Sequence, residues 1–65
     1  MIRRFVYGWI LENGPINIPA VTLINRLEDI YETNSEVSLT VLLAHTFNLT
    51  IDQVKRICAL SLIDN

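Results

Sequence analysis

The chain has 65 residues, a formal net charge of −2 and a hydrophobic fraction of 51%. A chain this short forms a single domain, residues 1–65, which buries only about 60% of the surface that is exposed when it is unfolded. The apolar fraction predicts either a core rich in aliphatic side chains or an apolar surface that meets a partner, and a homodimer satisfies both. The acidic balance is the opposite of that usual in nucleic-acid binders. However, four of the seven acids lie within residues 28–36, so the remainder is mildly positive.

Enzymatic chemistry has little support in the sequence. Cys58 is the single cysteine, which excludes an intramolecular disulfide, and no second ligand forms a zinc-binding pattern with it. His45 is the single histidine, and no neighbouring acid or nucleophile completes a catalytic set with it. We therefore expect a protein that is not an enzyme and that needs no cofactor or metal. The chain also has no apparent secretory signal and no apolar run long enough to cross a bilayer, so we expect a cytoplasmic location.

Apolar residues of the first segment recur at intervals of three and four: Ile2, Phe5, Val6, Trp9 and Ile10. This spacing predicts an amphipathic helix. Gly8 lowers the helix propensity by about 1 kcal/mol relative to alanine. A strand over residues 5–11 stays open as an alternative, because this stretch is rich in aromatic and β-branched side chains. Asn13, Gly14 and Pro15 end the element.

A second helix is expected to begin at Pro19, because the first helical position does not need a backbone N–H. Its apolar stripe is predicted to consist of Val21, Ile24, Leu27, Ile30 and Tyr31. Its water-facing side chains are predicted to be Asn25, Arg26, Glu28, Asp29 and Glu32. Residues 33–35 break the helix.

Two further helices follow. Ser38 can cap a third helix over Leu39–Phe47 by accepting a hydrogen bond from a backbone N–H of the first turn. Thr50 and Gln53 have the spacing of a capping box and start a fourth helix that runs to about Leu62. The predicted fold is therefore all-α, a compact bundle of about four short helices.

The link between the last two helices has a recognisable packing pattern, formed by Ala44, Asn48, Leu49, Val54 and Ile57. A small residue permits a close helix crossing, and asparagine is one of the few non-glycine residues that tolerates a left-handed backbone. Apolar residues fill the space between the helices, with Leu43 and Phe47 on the inner side of the first one. Over residues 40–59 this pattern resembles the helix-turn-helix motif of small bacterial and phage DNA-binding regulators.

The resemblance implies a non-catalytic transcriptional regulator, a homodimer that places its fourth helix in the major groove of double-stranded DNA. The residues that would then face the duplex are Thr50, Ile51, Asp52, Gln53, Lys55 and Arg56, with Thr40 and His45 near the phosphate backbone. Gln53 would pair with adenine, Arg56 would contact guanine or phosphate, and Ile51 would touch a thymine methyl group. Lys55 would bind phosphate.

An alternative is a protein-interaction module or inhibitor that uses the same helix pair. Asp52 is repelled by phosphates unless it accepts a hydrogen bond from cytosine, and Ile51 and Val41 are apolar on a face that should be basic. The contact surface would then include Ile51, Val41 and Trp9. Leu60, Leu62 and Ile63 are the predicted dimer seam in either case. Burial of Ile51 and Val41 beneath the first two helices also stays open.

Overall fold

The computed structural model describes the backbone of residues 1–63 and the side chains of residues 1–61. Within that range the chain forms four helices and no strand: α1 (Ile2–Asn13), α2 (Ala20–Thr33), α3 (Leu39–Phe47) and α4 (Ile51–Ile63). The prediction of a small all-α bundle is confirmed. A strand over residues 5–11 is wrong, because the consecutive residues Phe5 and Val6 are both fully buried. A strand would have placed them on opposite faces.

The helix ends follow from local chemistry. Gly14 ends α1 with a φ of 89°, and its backbone N–H donates to the Ile10 carbonyl at 2.8 Å. Ser38 begins α3, and its hydroxyl oxygen accepts from the Val41 N–H at 3.2 Å. Pro19 corrects our prediction, because it precedes α2 instead of being its first residue. Its ψ of 140° is extended, while its carbonyl already accepts from the N–H groups of the first helical turn.

Among residues 1–61, nine buried apolar residues from all four helices form the core: Ile2, Phe5, Val6, Ile24, Leu27, Leu43, Ala44, Val54 and Ile57. Helix α1 lies at the centre of the bundle and packs against both α2 and α4, while α3 packs against α4. Phe47, the last residue of α3, packs with its ring against Phe5 of α1, so α1 contacts both helices of the C-terminal pair.

Val21 was predicted on the buried stripe of α2, and this prediction is wrong because 58% of the residue is exposed. Ala20 and Leu23 pack against the core instead. The buried stripe runs through Ala20 and Ile24, and Val21 lies about 100° around the helix from Ala20. Val21, three residues before Ile24, therefore lies at the edge of the buried stripe and not within it.

Helices α1 and α4 run antiparallel and cross at Gly8. Asn13, at the end of α1, lines the same hollow as Gln53, in the first turn of α4. At the crossing, a Cβ atom added to Gly8 would collide with the carbonyl oxygen of Ile57 and lie 2.8 Å from its carbonyl carbon. Only a hydrogen atom fits there, so glycine allows the two backbones to approach each other closely.

Candidate functional site

The turn between α3 and α4 has the backbone conformation that its sequence predicts. Asn48 lies in the left-handed region, with φ 57° and ψ 49°, and it is the one non-glycine residue with positive φ among the described residues. The turn is closed by the Leu49 N–H, which donates to the Ala44 carbonyl at 2.8 Å. The Asn48 N–H donates to the His45 carbonyl at 3.3 Å. These bonds satisfy carbonyl groups that the end of α3 would otherwise leave unpaired.

The first turn of α4 is held by the predicted capping box. The Thr50 hydroxyl oxygen accepts from the Gln53 N–H at 3.1 Å, and the Gln53 side-chain oxygen accepts from the Thr50 N–H at 2.8 Å. The second of these bonds engages the side-chain oxygen of Gln53, which pairing with a base would also use. Bidentate pairing with adenine needs both the amide oxygen and the amide nitrogen of glutamine. While the cap is closed, the Thr50 N–H occupies one of the two acceptor positions of the Gln53 oxygen and fixes the orientation of the amide.

The inner face of the helix pair is tightly packed. Ala44, Val54 and Ile57 are buried, and Leu49 packs against them while remaining half-buried. Phe47 extends the contact to α1, with its ring centroid 4.8 Å from that of Phe5. These contacts pack α3 and α4 against each other and against α1, and the first turns of α4 keep an exposed outer face.

Among the described side chains of the pair, two large apolar residues are exposed: Val41 of α3 by 42% and Ile51 of α4 by 45%. The alternative that they pack beneath the first two helices is therefore wrong. Asp52 and Lys55 are exposed beside Ile51 on the first two turns of α4. Lys55 takes part in no ion pair with any residue of the range 1–61. Its ammonium group is thus available to an anionic ligand.

Arg56 lies on the same two turns, but its guanidinium group is already engaged. Its Nη2 donates to the Glu12 carboxylate oxygen of α1 at 2.8 Å, while 62% of the arginine side chain is exposed. Both groups border a hollow of about 120 Å³ that Trp9 also lines. Sequence reasoning did not identify Glu12 as part of this surface. Glu12 and Arg56 are 44 residues apart, so no local spacing indicates the pair.

The other predicted site residues have different positions. Thr50 and His45 are exposed, whereas Thr40 is half-buried and its hydroxyl lies 3.8 Å from the Met1 sulfur. Among the residues of the alternative interface, Trp9 and Leu60 are half-buried. The side chains of Leu62 and Ile63 lie outside the described residues. The predicted dimer seam is therefore described only at Leu60.

Reactive groups are sparse in the described part of the chain. Burial raises the pKa of the half-buried Cys58 thiol, and this effect outweighs the nearby positive charges of the N-terminal amine and Arg4. A protonated thiol is a poor nucleophile. Within residues 1–61, no group of three His, Cys, Asp or Glu side chains could hold a metal ion. No described helix combines the length and the apolarity needed to cross a membrane.

A second hollow, of about 530 Å³, opens near the beginning of α1. Six residues of α1, α2 and α3 line it, together with the N-terminal methionine: Met1, Ile2, Arg3, Ile24, Glu28, Tyr31 and Leu39. Its lining contains no histidine, cysteine or serine, and its charged side chains are those of Arg3 and Glu28. It therefore offers no catalytic set of the acyl-transfer or metal-dependent kind.

Comparison of the chain with protein-family models, with curated proteins and with solved structures found no match. The exposed chemistry of the α3–α4 surface is therefore the basis for assigning a function.

Proposed function

We propose that this protein is a non-catalytic module that binds double-stranded DNA and places the first two turns of α4 in the major groove. The observation that carries the proposal is the left-handed turn at Asn48, which joins two short helices over a buried wedge and leaves the outer face of α4 exposed. A helix presented in this way can enter the major groove, whose width admits an α-helix.

The exposed groups define how such a complex would form. Lys55 would neutralise a phosphate, and Ile51 would contact the methyl group of a thymine. Asp52 would accept a hydrogen bond from the amino group of a cytosine, since a carboxylate elsewhere in the groove would be repelled by phosphates. The Gln53 amide nitrogen would donate a single hydrogen bond while its oxygen remains in the capping box.

Binding of a mixed-sequence duplex, measured by fluorescence anisotropy over a range of salt concentrations, tests the proposal. We expect log Kd to change steeply with log salt, because each neutralised phosphate releases counterions. Lys55→Ala should reduce the magnitude of that slope by about 0.9, the value for one phosphate contact. Arg26→Ala removes the same charge from the exposed face of α2, so it is the matched control and should leave the slope unchanged.

Two results would contradict the proposal. One is the failure of the wild-type protein to bind the duplex even at low salt. The other is an equal loss of slope in Lys55→Ala and Arg26→Ala, which would indicate diffuse charge attraction instead of docking through α4. The stoichiometry of the complex tests the predicted homodimer in the same experiment.

A second candidate function is protein recognition through the same helix pair. The observation that favours it is the exposure of Val41 on α3 and Ile51 on α4, while the guanidinium group of Arg56 is already paired with Glu12. Apolar residues at the centre of a contact, surrounded by mixed charges, are typical of protein interfaces. Failure of the wild-type protein to bind duplex DNA at low salt would favour this candidate.

A further inference from the structure

We propose that Glu12 regulates the proposed DNA surface by competing with phosphate for Arg56, an inference that rests on the proposed function. In the free protein the Glu12 carboxylate accepts a hydrogen bond from Arg56 Nη2 at 2.8 Å. A DNA phosphate is recognised by the same guanidinium donors. The carboxylate of α1 therefore occupies part of the group that a phosphate would bind.

The position of the pair determines which ligand Glu12 opposes. Arg56 follows Lys55 directly on the second turn of α4, and both side chains are exposed. Glu12 comes from the last turn of α1, which the crossing at Gly8 holds against α4. Because Glu12 lies one helical turn after this crossing, its carboxylate stays near α4 and repels an approaching phosphate even after the ion pair opens.

The exposure of the pair keeps the competition reversible. The arginine side chain is 62% exposed, and the glutamate side chain is 31% exposed. An ion pair exposed to this degree changes an equilibrium constant by a factor of about two to five. A phosphate can therefore displace Glu12 from Arg56, but the affinity for DNA is lowered by that factor and by the repulsion from the remaining negative charge.

The competition also changes the salt dependence. Arg56 contributes to counterion release only when it neutralises a phosphate, which adds about 0.9 to the slope of log Kd against log salt. With Glu12 in place the arginine is already neutralised, so its contribution is partly lost. Removing the Glu12 charge should restore the contribution of Arg56 to the salt slope. The slope is a second readout that does not depend on the absolute affinity.

The test measures duplex binding by anisotropy at several salt concentrations for the wild type, Glu12→Gln, Arg56→Gln and the double variant. Glutamine keeps the shape of the glutamate while removing its charge. Glu32→Gln, at an exposed carboxylate of α2, is the matched control for the change in net charge. Thermal melts followed by circular dichroism establish that every variant is folded.

We expect Glu12→Gln to bind about two- to fivefold more tightly than the wild type, with a steeper salt slope. Glu32→Gln should tighten binding by a smaller factor, and Glu12→Gln should lose most of its effect in the Arg56→Gln background. The competition is overturned if Glu12→Gln leaves duplex binding unchanged, weakens it, or strengthens it no more than Glu32→Gln does. The DNA-binding function stands in each of these cases. An effect that persists undiminished without Arg56 also overturns it. If no variant binds the duplex, the proposed function itself fails, and the competition fails with it.

Discussion

Replacing Gly8 with alanine should destabilise the protein, although alanine is the better helix former. At an exposed helical position the change would stabilise the folded state by about 1 kcal/mol. At Gly8 the new Cβ would collide with the backbone carbonyl of Ile57. A flexible side chain could rotate away from such a collision, but the carbonyl belongs to α4 and moves only if the helix moves.

The size of the effect follows from the distances. The added Cβ would lie 2.8 Å from the Ile57 carbonyl carbon, whereas carbon atoms in contact prefer about 3.5–4.0 Å. The two helices must separate by at least roughly 0.7 Å, and a gap of this size removes about a quarter to a half of each affected dispersion contact. Overpacking of a core typically costs about 1–3 kcal/mol of folding free energy. Because the backbone carbonyl of Ile57 cannot rotate away, we expect a cost at or above the upper end of this range. After the gain in propensity, we expect a net loss of about 2–3 kcal/mol.

Thermal unfolding followed by circular dichroism at 222 nm is the assay. In a domain of this size 1 kcal/mol corresponds to roughly 4–8 °C, so Gly8→Ala should lower Tm by about 10–20 °C. Val21→Ala introduces alanine at an exposed position of α2 and should leave Tm unchanged or slightly raised. A Gly8→Ala protein that melts at or above the wild-type temperature would refute the close crossing of α1 and α4.

Two further predictions concern the turn that precedes α4. Thr50→Ala removes the acceptor of the Gln53 N–H, so we expect a loss of about 1 kcal/mol and a Tm lower by roughly 4–8 °C in the same melting assay; an unchanged Tm would mean that the capping box contributes nothing to stability. Asn48→Gly should leave stability within about 1 kcal/mol of the wild type, because glycine adopts the left-handed conformation without steric strain. Chemical denaturation measures this difference, and a large loss would show that the Asn48 side chain, and not its backbone conformation, holds the turn.

The parts of the fold that the sequence predicts are those decided within a few residues. The Ser38 cap, the left-handed Asn48 and the capping box at Thr50 each depend on hydrogen bonds that span three to five residues. Residue type and spacing are therefore sufficient to predict them. The bounds of α3 followed from these signals, as did the beginning of α4.

The parts that the sequence does not predict depend on how distant segments meet. Gly8 reduces the propensity of α1, but its role at the α4 crossing becomes visible only when Ile57 is opposite to it. Glu12 is an ordinary exposed acid until the antiparallel packing brings Arg56 within 2.8 Å. The candidate site residues on α4 were identified from the sequence, whereas the charge that opposes one of them comes from another helix.

Trp9 gives this surface an optical signal of its own. It is the single tryptophan of the chain, its ring centroid lies 5.1 Å from that of Phe47, and it borders the hollow that Arg56 and Glu12 also line. Indole emission depends on the polarity and the charges around the ring. We therefore expect the intrinsic fluorescence of the unlabelled protein to change if the Glu12–Arg56 pair opens or if a ligand binds at α4, and this signal needs no dye.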